Sequence, residues 1–197
     1  MIVNTIRAVN AGTQQKTIFV KKEMEVVDMP RLIIVTGIPG SGKTSFIRNH
    51  KVLLKEYVHI SRDEIRFQFL RGEDSAEENY FKYEHQVLKE FYLQINKFLY
   101  LGFDVFADAT HLTKKGRREL LDNVKGYTKL ESLFFNTPLS VALKRNKKRK
   151  GLERVPDNVI RGMYRRLEEP DFDEGFENIY EIPYPKEKIL IRKKEDA

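Results

Sequence analysis

A glycine-rich stretch, GIPGSGKT, occupies residues 37–44 and directly follows a short β-branched run at 32–36. It satisfies the pattern G-x-x-x-x-G-K-[ST], whose glycines let the backbone turn tightly enough for consecutive N–H groups to point at one phosphate chain. A strand before the loop and a helix after it bring the positive helix N-terminus to the same phosphates. The stretch therefore restricts this part of the chain to a strand–loop–helix unit and predicts a site for a nucleoside triphosphate.

Two side chains of the loop have separate predicted tasks. Lys43 can reach the β- and γ-phosphates, and the hydroxyl of Thr44 can ligate Mg²⁺. The predicted phosphate-binding set comprises Gly37, Pro39, Gly40, Ser41, Gly42, Lys43 and Thr44. The loop leaves the phosphate acceptor open, because water, a protein, a small metabolite and a polynucleotide end are all compatible with it.

Short apolar runs alternate with helix-like segments along the rest of the chain. Strands are predicted at 32–36, 57–60, 104–110, 129–136, 179–182 and 189–191, and helices from Lys43, after Ser61, from Ser75 to about Tyr100, over 114–126, from Pro138 and from Pro156. This alternation predicts an α/β fold in three layers, a mostly parallel sheet with helices on both faces. Phe81 and six later apolar residues are expected on the core face of the long helix.

Composition bounds the class of protein. The 197 residues are 41% apolar and 33% charged, enough for a packed core. We expect an N-terminal extension over 1–29, a phosphate-loop domain over 30–170, and a segment over 171–197 that completes or flanks that domain. The sequence contains no cysteine, which excludes thiol catalysis and disulfides and fits a cytoplasmic protein. No apolar run approaches the ~18 residues of a membrane span, so no membrane partner is expected.

An acid and an arginine follow the second predicted strand, at the end where ligands bind in sheets of this kind. Asp63 is placed to accept a proton from an attacking hydroxyl. Arg66, three residues on and therefore on the same helical face, could hold an acceptor phosphate. The alternative is a helix capped by Ser61 and Glu64 whose charged face is only solvated.

The end of the third predicted strand, DATH at 108–111, carries further candidates. Asp108 either contacts Mg²⁺ through water or caps the next turn. Thr110 and His111 could line the groove for the acceptor. A lone histidine in such a loop more often serves a structural hydrogen bond, so a catalytic role is not assigned to it.

The segment KRNKKRK, 144–150, is strongly basic. On a helix Arg145 and Arg149 stand at i and i+4, so both could reach over a γ-phosphate, whose oxygens share the negative charge during transfer. The lysines between them add to a formal charge of +7, which favours phosphate-rich partners. A solvated basic surface is the alternative.

Five blocks in this order resemble the kinase domain of the 5′-hydroxyl polynucleotide kinases: GIPGSGKTSF, ISRDEIR, DATHL, LKRNKKR and VPDNVIRGMYRRLE, over about residues 31–170. The resemblance implies a P-loop phosphotransferase that moves the γ-phosphate of ATP, with Mg²⁺, to 5′-hydroxyl ends of DNA or RNA. It implies that Asp63 is the general base, that Arg66 holds the acceptor's 3′-phosphate, and that Arg145 and Arg149 form a lid over the donor. His111 departs from the family, which commonly has Asn there.

Three classes of function stay open on the sequence. The first is the Mg²⁺- and ATP-dependent kinase for 5′-hydroxyl polynucleotide ends. The second is a kinase for a small metabolite, nucleoside or sugar, which would share loop and lid but need a closed acceptor pocket. The third is a nucleotide-driven switch or binding module, in which Asp63 has no task. Net positive charge and Arg66 favour the first.

Overall fold

A computed structural model describes residues 30–49, 57–72, 80–185 and 189–193. The predicted extension over 1–29 lies outside the described residues. The strands of the described chain are β1 Arg31–Thr36, β2 Tyr57–Ser61, β3 Asp104–Asp108, β4 Lys129–Asn136, β5 Asn178–Pro183 and β6 Leu190–Lys193. Its α-helices are α1 Lys43–Asn49, α2 Arg62–Phe69, α3 Glu84–Tyr100, α4 Lys114–Asn123, α5 Leu139–Asn146 and α6 Asp157–Arg165.

The strands form one sheet in the order β2-β3-β1-β4-β5-β6. The first five strands are parallel, and β6 pairs antiparallel with β5. β3 lies on one side of β1 and β4 on the other. The connection that leaves the carboxyl end of β1 runs past β3 to β2, whereas the connection that leaves β3 runs the other way, past β1 to β4. Such a point opens a crevice where ligands bind in open α/β sheets. The predicted mostly parallel α/β sheet is confirmed, and the phosphate loop stands at this crevice.

Alternate residues of β1 serve the two faces of the sheet, as a pleated strand requires. Leu32 and Ile34 belong to the core on the side of α3. Ile33 and Val35 belong to the core on the side of α1, where they meet Ile47. Both faces of the central strand are thus buried under helices, which explains its uninterrupted apolar sequence.

The long helix is shorter than predicted. α3 begins at Glu84 rather than Ser75, residues 80–83 form a turn, and 73–79 lie outside the described residues. The buried residues of α3 recur at every fourth position: Val87, Phe91, Ile95 and Leu99. Phe81 lies six residues before Val87 and out of step with this series, and it is 69% exposed. Its assignment to the core face was wrong.

A fully buried arginine on α4 connects segments that are distant in sequence. Arg117 donates from Nε and Nη2 to the two carboxylate oxygens of Glu174, at 2.6 and 2.8 Å. Its remaining N–H groups reach the carbonyls of His111, Glu168 and Glu169 at 2.9 to 3.3 Å. Because every donor of this buried charge is paired, the contact fixes the segment before β5 against the loop after β3.

Replacing Arg117 by alanine should destabilise the protein by about 3–5 kcal/mol, because it leaves a nearly buried carboxylate and three carbonyls without their donor. Urea unfolding at neutral pH measures this change. The matched control is Arg118→Ala, since Arg118 is 76% exposed and pairs with Asp122 on its own helix. Its effect should stay within about 0.5 kcal/mol. Equal effects of the two substitutions would contradict the assigned role of Arg117.

Candidate active site

The predicted phosphate-binding residues form the turn between β1 and the first turn of α1: Gly37, Pro39, Gly40, Ser41, Gly42, Lys43 and Thr44. Gly40 and Gly42 have φ of 80° and 101°, left-handed values that favour glycine. A Cβ at Gly40 would lie 2.5 Å from the carbonyl oxygen of Ala142, so α5 packs directly on the loop backbone. Ile38 of the loop is buried with Ala142 and with Ile160 of α6. The turn is therefore shaped by contacts with two helices beyond β4.

Polar groups of the loop surround the expected position of the phosphates. Nζ of Lys43 donates to the carbonyls of Gly37 and Ile38, at 2.8 and 3.1 Å. Burial lowers the pKa of Lys43, and the charges of Asp108 and Asp63 oppose this shift. Buried hydroxyls at Thr36 and Ser41 have no protein hydrogen-bond partner within the described structure. Unpaired buried hydroxyls beside a glycine turn fit a bound phosphate chain.

Asp108, at the end of β3, is the buried acid beside the loop. Its Oδ2 accepts from the Thr44 hydroxyl at 3.2 Å and lies 2.9 Å from Nε2 of His59. Burial opposes the ionisation of Asp108, but the hydrogen bond with His59 and the charge of Lys43 hold its pKa below its usual value. The carboxylate thus stays charged next to the hydroxyl predicted to ligate Mg²⁺.

This donor set fits a magnesium ion held by few protein groups. Among residues 30–49, 57–72, 80–185 and 189–193, no group of three or more His, Cys, Asp and Glu side chains is arranged to hold a metal. Mg²⁺ in phosphoryl-transfer sites commonly has one or two protein ligands and is completed by substrate phosphates and water. Thr44, with Asp108 behind it, matches that arrangement. His59 escaped the sequence analysis, where it counted only as a residue of an apolar strand.

Asp63 and Arg66 lie on α2, which Ser61 caps by accepting from the N–H of Glu64 at 3.3 Å, as predicted. The Asp63 side chain is 65% exposed and contacts Nη1 of Arg66, whose own side chain is only 6% exposed. Glu84, the first residue of α3, accepts from Nη2 and Nε of Arg66 at 2.9 and 3.3 Å. The structure therefore brings the predicted acid and arginine together and adds a carboxylate that orients the guanidinium.

Glu84 is a functional candidate that the sequence analysis missed. Burial opposes its ionisation, but hydrogen bonds from Arg62 and Arg66 hold its pKa below the usual value. Glu84 and Arg66 are 18 positions apart in the sequence, so no local motif predicts their contact. In the sequence Glu84 is one acidic residue among alternating apolar and polar residues, a pattern that is common in helices and does not indicate a site.

The two predicted lid arginines are not on one helix. α5 ends at Asn146, so Arg149 lies in the following turn, and the i, i+4 argument fails for it. Burial lowers the pKa of Lys43, and the positive charge of Arg149 adds to that shift. Arg145 donates to the Ser41 carbonyl at 3.0 Å, and its guanidinium lies 5.2 Å from the ring centre of Tyr184. The neighbouring lysines are exposed: 144, 147, 148 and 150.

Thr110 and His111 follow β3 and contact the end of β1 and the start of the phosphate loop. The Thr110 carbonyl accepts from the N–H of Gly37 at 3.0 Å. His111 is buried, with φ of 41°, and its Nδ1 lies 3.1 Å from the carbonyl oxygen of Val35. Burial lowers its pKa to about 4. The ring is thus a neutral part of the core, and contact of either residue with an acceptor stays a prediction.

Together, a phosphate loop after the central strand, an acid at the edge strand and arginines beyond the fourth strand are the arrangement of the P-loop kinases. The chain belongs to a family of AAA domains, whose sequence profile matches residues 32–170. In the described part of the chain no helix is long and apolar enough to cross a membrane.

Solved structures with this fold differ in their substrates. A chain of the Pnkp1/Rnl/Hen1 RNA repair complex is 24% identical, with a TM-score of 0.60 over 75% of this chain and 46% of that one. A fungal RNA kinase is 15% identical, with a TM-score of 0.54 over 81% and 77% of the two chains. A sugar kinase from Janibacter sp. HTCC2649 is 20% identical, with a TM-score of 0.53 over 78% and 85%. The present chain spans less than half of the repair-complex chain.

The neutral, buried His111 should make stability depend on pH. Its pKa is about 4 in the folded protein against 6.5 ordinarily, so the unfolded chain binds the proton first and stability falls as pH drops below 6.5. The loss attributable to His111 should reach about 2 kcal/mol at pH 5.

The test compares wild-type protein with His111→Asn in urea unfolding at pH 7 and pH 5. Asparagine also tolerates a positive φ and can donate to the Val35 carbonyl, but it does not titrate. The variant should therefore lose less stability between the two pH values. The same loss in both proteins would contradict the assignment.

Proposed function

We propose that this chain is a polynucleotide 5′-hydroxyl kinase, which transfers the γ-phosphate of ATP to 5′-hydroxyl ends of DNA or RNA and so serves the repair of nucleic acid ends. The observation that carries the proposal is the pair of Asp63 and Arg66 at the end of β2. Burial lowers the pKa of Lys43 and the negative charge of Asp63 opposes that shift, which supports a place for the acid on the donor side of α2. The arginine next to it is held in place by Glu84.

The donor half of the site uses residues near the loop. The backbone N–H groups of Gly40, Gly42 and 43–44, together with the Lys43 side chain, bind the β- and γ-phosphates. Arg145 on α5 and Arg149 just after that helix approach from the β4 side. Thr44, with Asp108 beside its hydroxyl, would hold Mg²⁺, which would neutralise part of the phosphate charge when bound. The unpaired hydroxyl of Ser41 offers the phosphates a further hydrogen bond.

The acceptor half uses α2. Asp63 takes the proton from the 5′-hydroxyl while the oxygen of that hydroxyl attacks the γ-phosphorus. A new P–O bond forms to the acceptor, the bond from phosphorus to the bridging oxygen of ADP breaks, and ADP leaves with that electron pair. Arg145 and Arg149 stabilise the charge that spreads over the transferred phosphoryl oxygens.

Charge around the site also suits a polymer with a phosphate backbone. Arg66 is oriented for bidentate contact with an acceptor phosphate once the latter replaces Asp63 on Nη1. The exposed lysines of 144–150 lie on the donor side and can contact backbone phosphates without reading sequence. A small-metabolite acceptor would need none of these lysines.

The test is transfer of γ-labelled phosphate from ATP, with Mg²⁺, to 5′-hydroxyl DNA and RNA oligonucleotides, with a panel of sugars and nucleosides in parallel. Label on the oligonucleotide 5′ end supports the proposal. Label on a sugar or free nucleoside alone overturns it in favour of a small-metabolite kinase. Phosphate release to water without labelled acceptor would instead favour a nucleotide-driven switch.

Asp63→Asn should lower the rate of transfer by about 10²- to 10⁴-fold, because the general base is lost while the shape of the side chain is kept. Binding of ATP should change little, since the hydrogen-bond partner of Asp63 in the described structure is Arg66 and not a group of the loop. Single-turnover transfer measures the rate, and the neighbouring exposed Glu64→Gln serves as the control. Transfer at the wild-type rate by Asp63→Asn would rule out its role as base.

Arg66→Ala should raise the acceptor KM by about 10- to 100-fold when the acceptor carries a 3′-phosphate, as loss of a charged hydrogen bond does. The informative comparison is a nucleoside 3′-phosphate against the same nucleoside without phosphate. Wild-type protein should prefer the former, and Arg66→Ala should lose most of that preference. A preference retained in full would mean that Arg66 does not bind the acceptor phosphate.

A further inference from the structure

A pair of aromatic rings, one half-buried and one exposed, stands beside Arg66, and the mechanism above does not use it. We call Tyr80 and Phe81 the aromatic shelf. Their rings meet edge to face at 5.0 Å between centres. The Arg66 guanidinium lies 4.8 Å from the centre of the Tyr80 ring and 6.0 Å from that of Phe81. The shelf therefore adjoins the cation to which an acceptor phosphate is assigned.

Phe81 is unusual in being large, apolar and open. It is 69% exposed, in the turn that precedes α3, and it does not belong to the buried series of that helix. Phe69, on α2 three residues after Arg66, is 38% exposed and stacks on Tyr83 at 5.9 Å between ring centres. Apolar rings thus border the acceptor side of the site, where burial in the core does not explain them.

The position of the aromatic shelf next to Arg66 limits which chemical groups of a ligand can stack on it. A ligand that places a phosphate on Arg66 carries whatever is attached to that phosphate within a few ångströms of Tyr80 and Phe81. In a polynucleotide the attached group is a nucleoside, and its base offers a flat π surface that stacks on aromatic side chains whatever the base identity. Asp63 contacts Nη1 of Arg66, which also donates to the Tyr80 hydroxyl at 3.3 Å, so the proposed base lies close to the shelf and to the hydroxyl of the same nucleoside.

We infer that the aromatic shelf stacks the base of the acceptor nucleotide whose phosphate Arg66 holds, and so selects acceptors with an accessible terminal base. This inference rests on the proposed function and names the part of the acceptor that binds outside the phosphate contacts. Stacking on a ring face requires that the base be free of a neighbour on that side.

The experiment measures the acceptor KM of wild type and Phe81→Ala for two oligonucleotides that differ only in the terminal nucleotide. One carries a normal base, and the other a tetrahydrofuran abasic residue with the same 5′-hydroxyl and 3′-phosphate. Phe81→Ala should raise the KM of the normal acceptor by roughly 5- to 100-fold, the range produced by losing one stacked base. It should change the KM of the abasic acceptor by less than about twofold.

Two further variants separate stacking from general disturbance. Phe81→Tyr keeps an aromatic ring and should retain the wild-type KM. Tyr100→Ala removes an 89% exposed ring from the far end of α3 and should leave both KM values unchanged. A rise of equal size for normal and abasic acceptors, or no rise for either, overturns the inference, and the latter would leave Phe81 to contact another protein. Wild-type protein that labels no oligonucleotide at all overturns the proposed function itself.

Discussion

The buried carboxylate of Asp108 is the interaction on which the rest of the site depends. A charge that is 4% exposed is costly unless several partners stabilise it. Here the partners come from three elements: His59 from β2, Thr44 from α1 and, through its charge, Lys43. One acid thereby fixes the edge strand, the central loop and the first helix relative to one another. The phosphate loop is therefore held from the sheet side as well as by α5 and α6, and not by glycine freedom alone.

The sheet order separates the residues assigned to the donor from those assigned to the acceptor. Groups assigned to the donor come from the β4 side of the central strand, where α5 and α6 pack on Ile38. Groups assigned to the acceptor come from α2 and α3, on the β2 side. Lys43 belongs to the loop between them. Burial lowers its pKa, and the charges of Asp63 and Arg149 act on that pKa in opposite directions. The connection after β1 runs to β2 and the connection after β3 runs the other way, to β4, so each half can vary while the loop stays the same.

Most of the fold follows from local sequence, whereas much of the site does not. The β-branched run of β1, the glycine loop and the cap at Ser61 are local signals, and each element appeared where it was expected. The start of α3 and the end of α5 were misplaced because charged and aromatic residues continue the helical pattern beyond the packed part. His59, Glu84 and Arg117 went unnoticed because their partners lie 49, 18 and 57 positions away. Such pairings arise from topology, which a single sequence does not display.

The paired guanidinium of Arg117 has a consequence for how the molecule opens. It donates to the carbonyl of His111, in the segment that contacts the phosphate loop, and to the carboxylate of Glu174, just before β5. The N–H of Glu168 also donates to the carbonyl of Leu112, at 2.8 Å, beside the same contact. Detachment of the segment before β5 would therefore expose the underside of the nucleotide site at the same time. The two regions should exchange their amide hydrogens as one cooperative unit rather than fray separately.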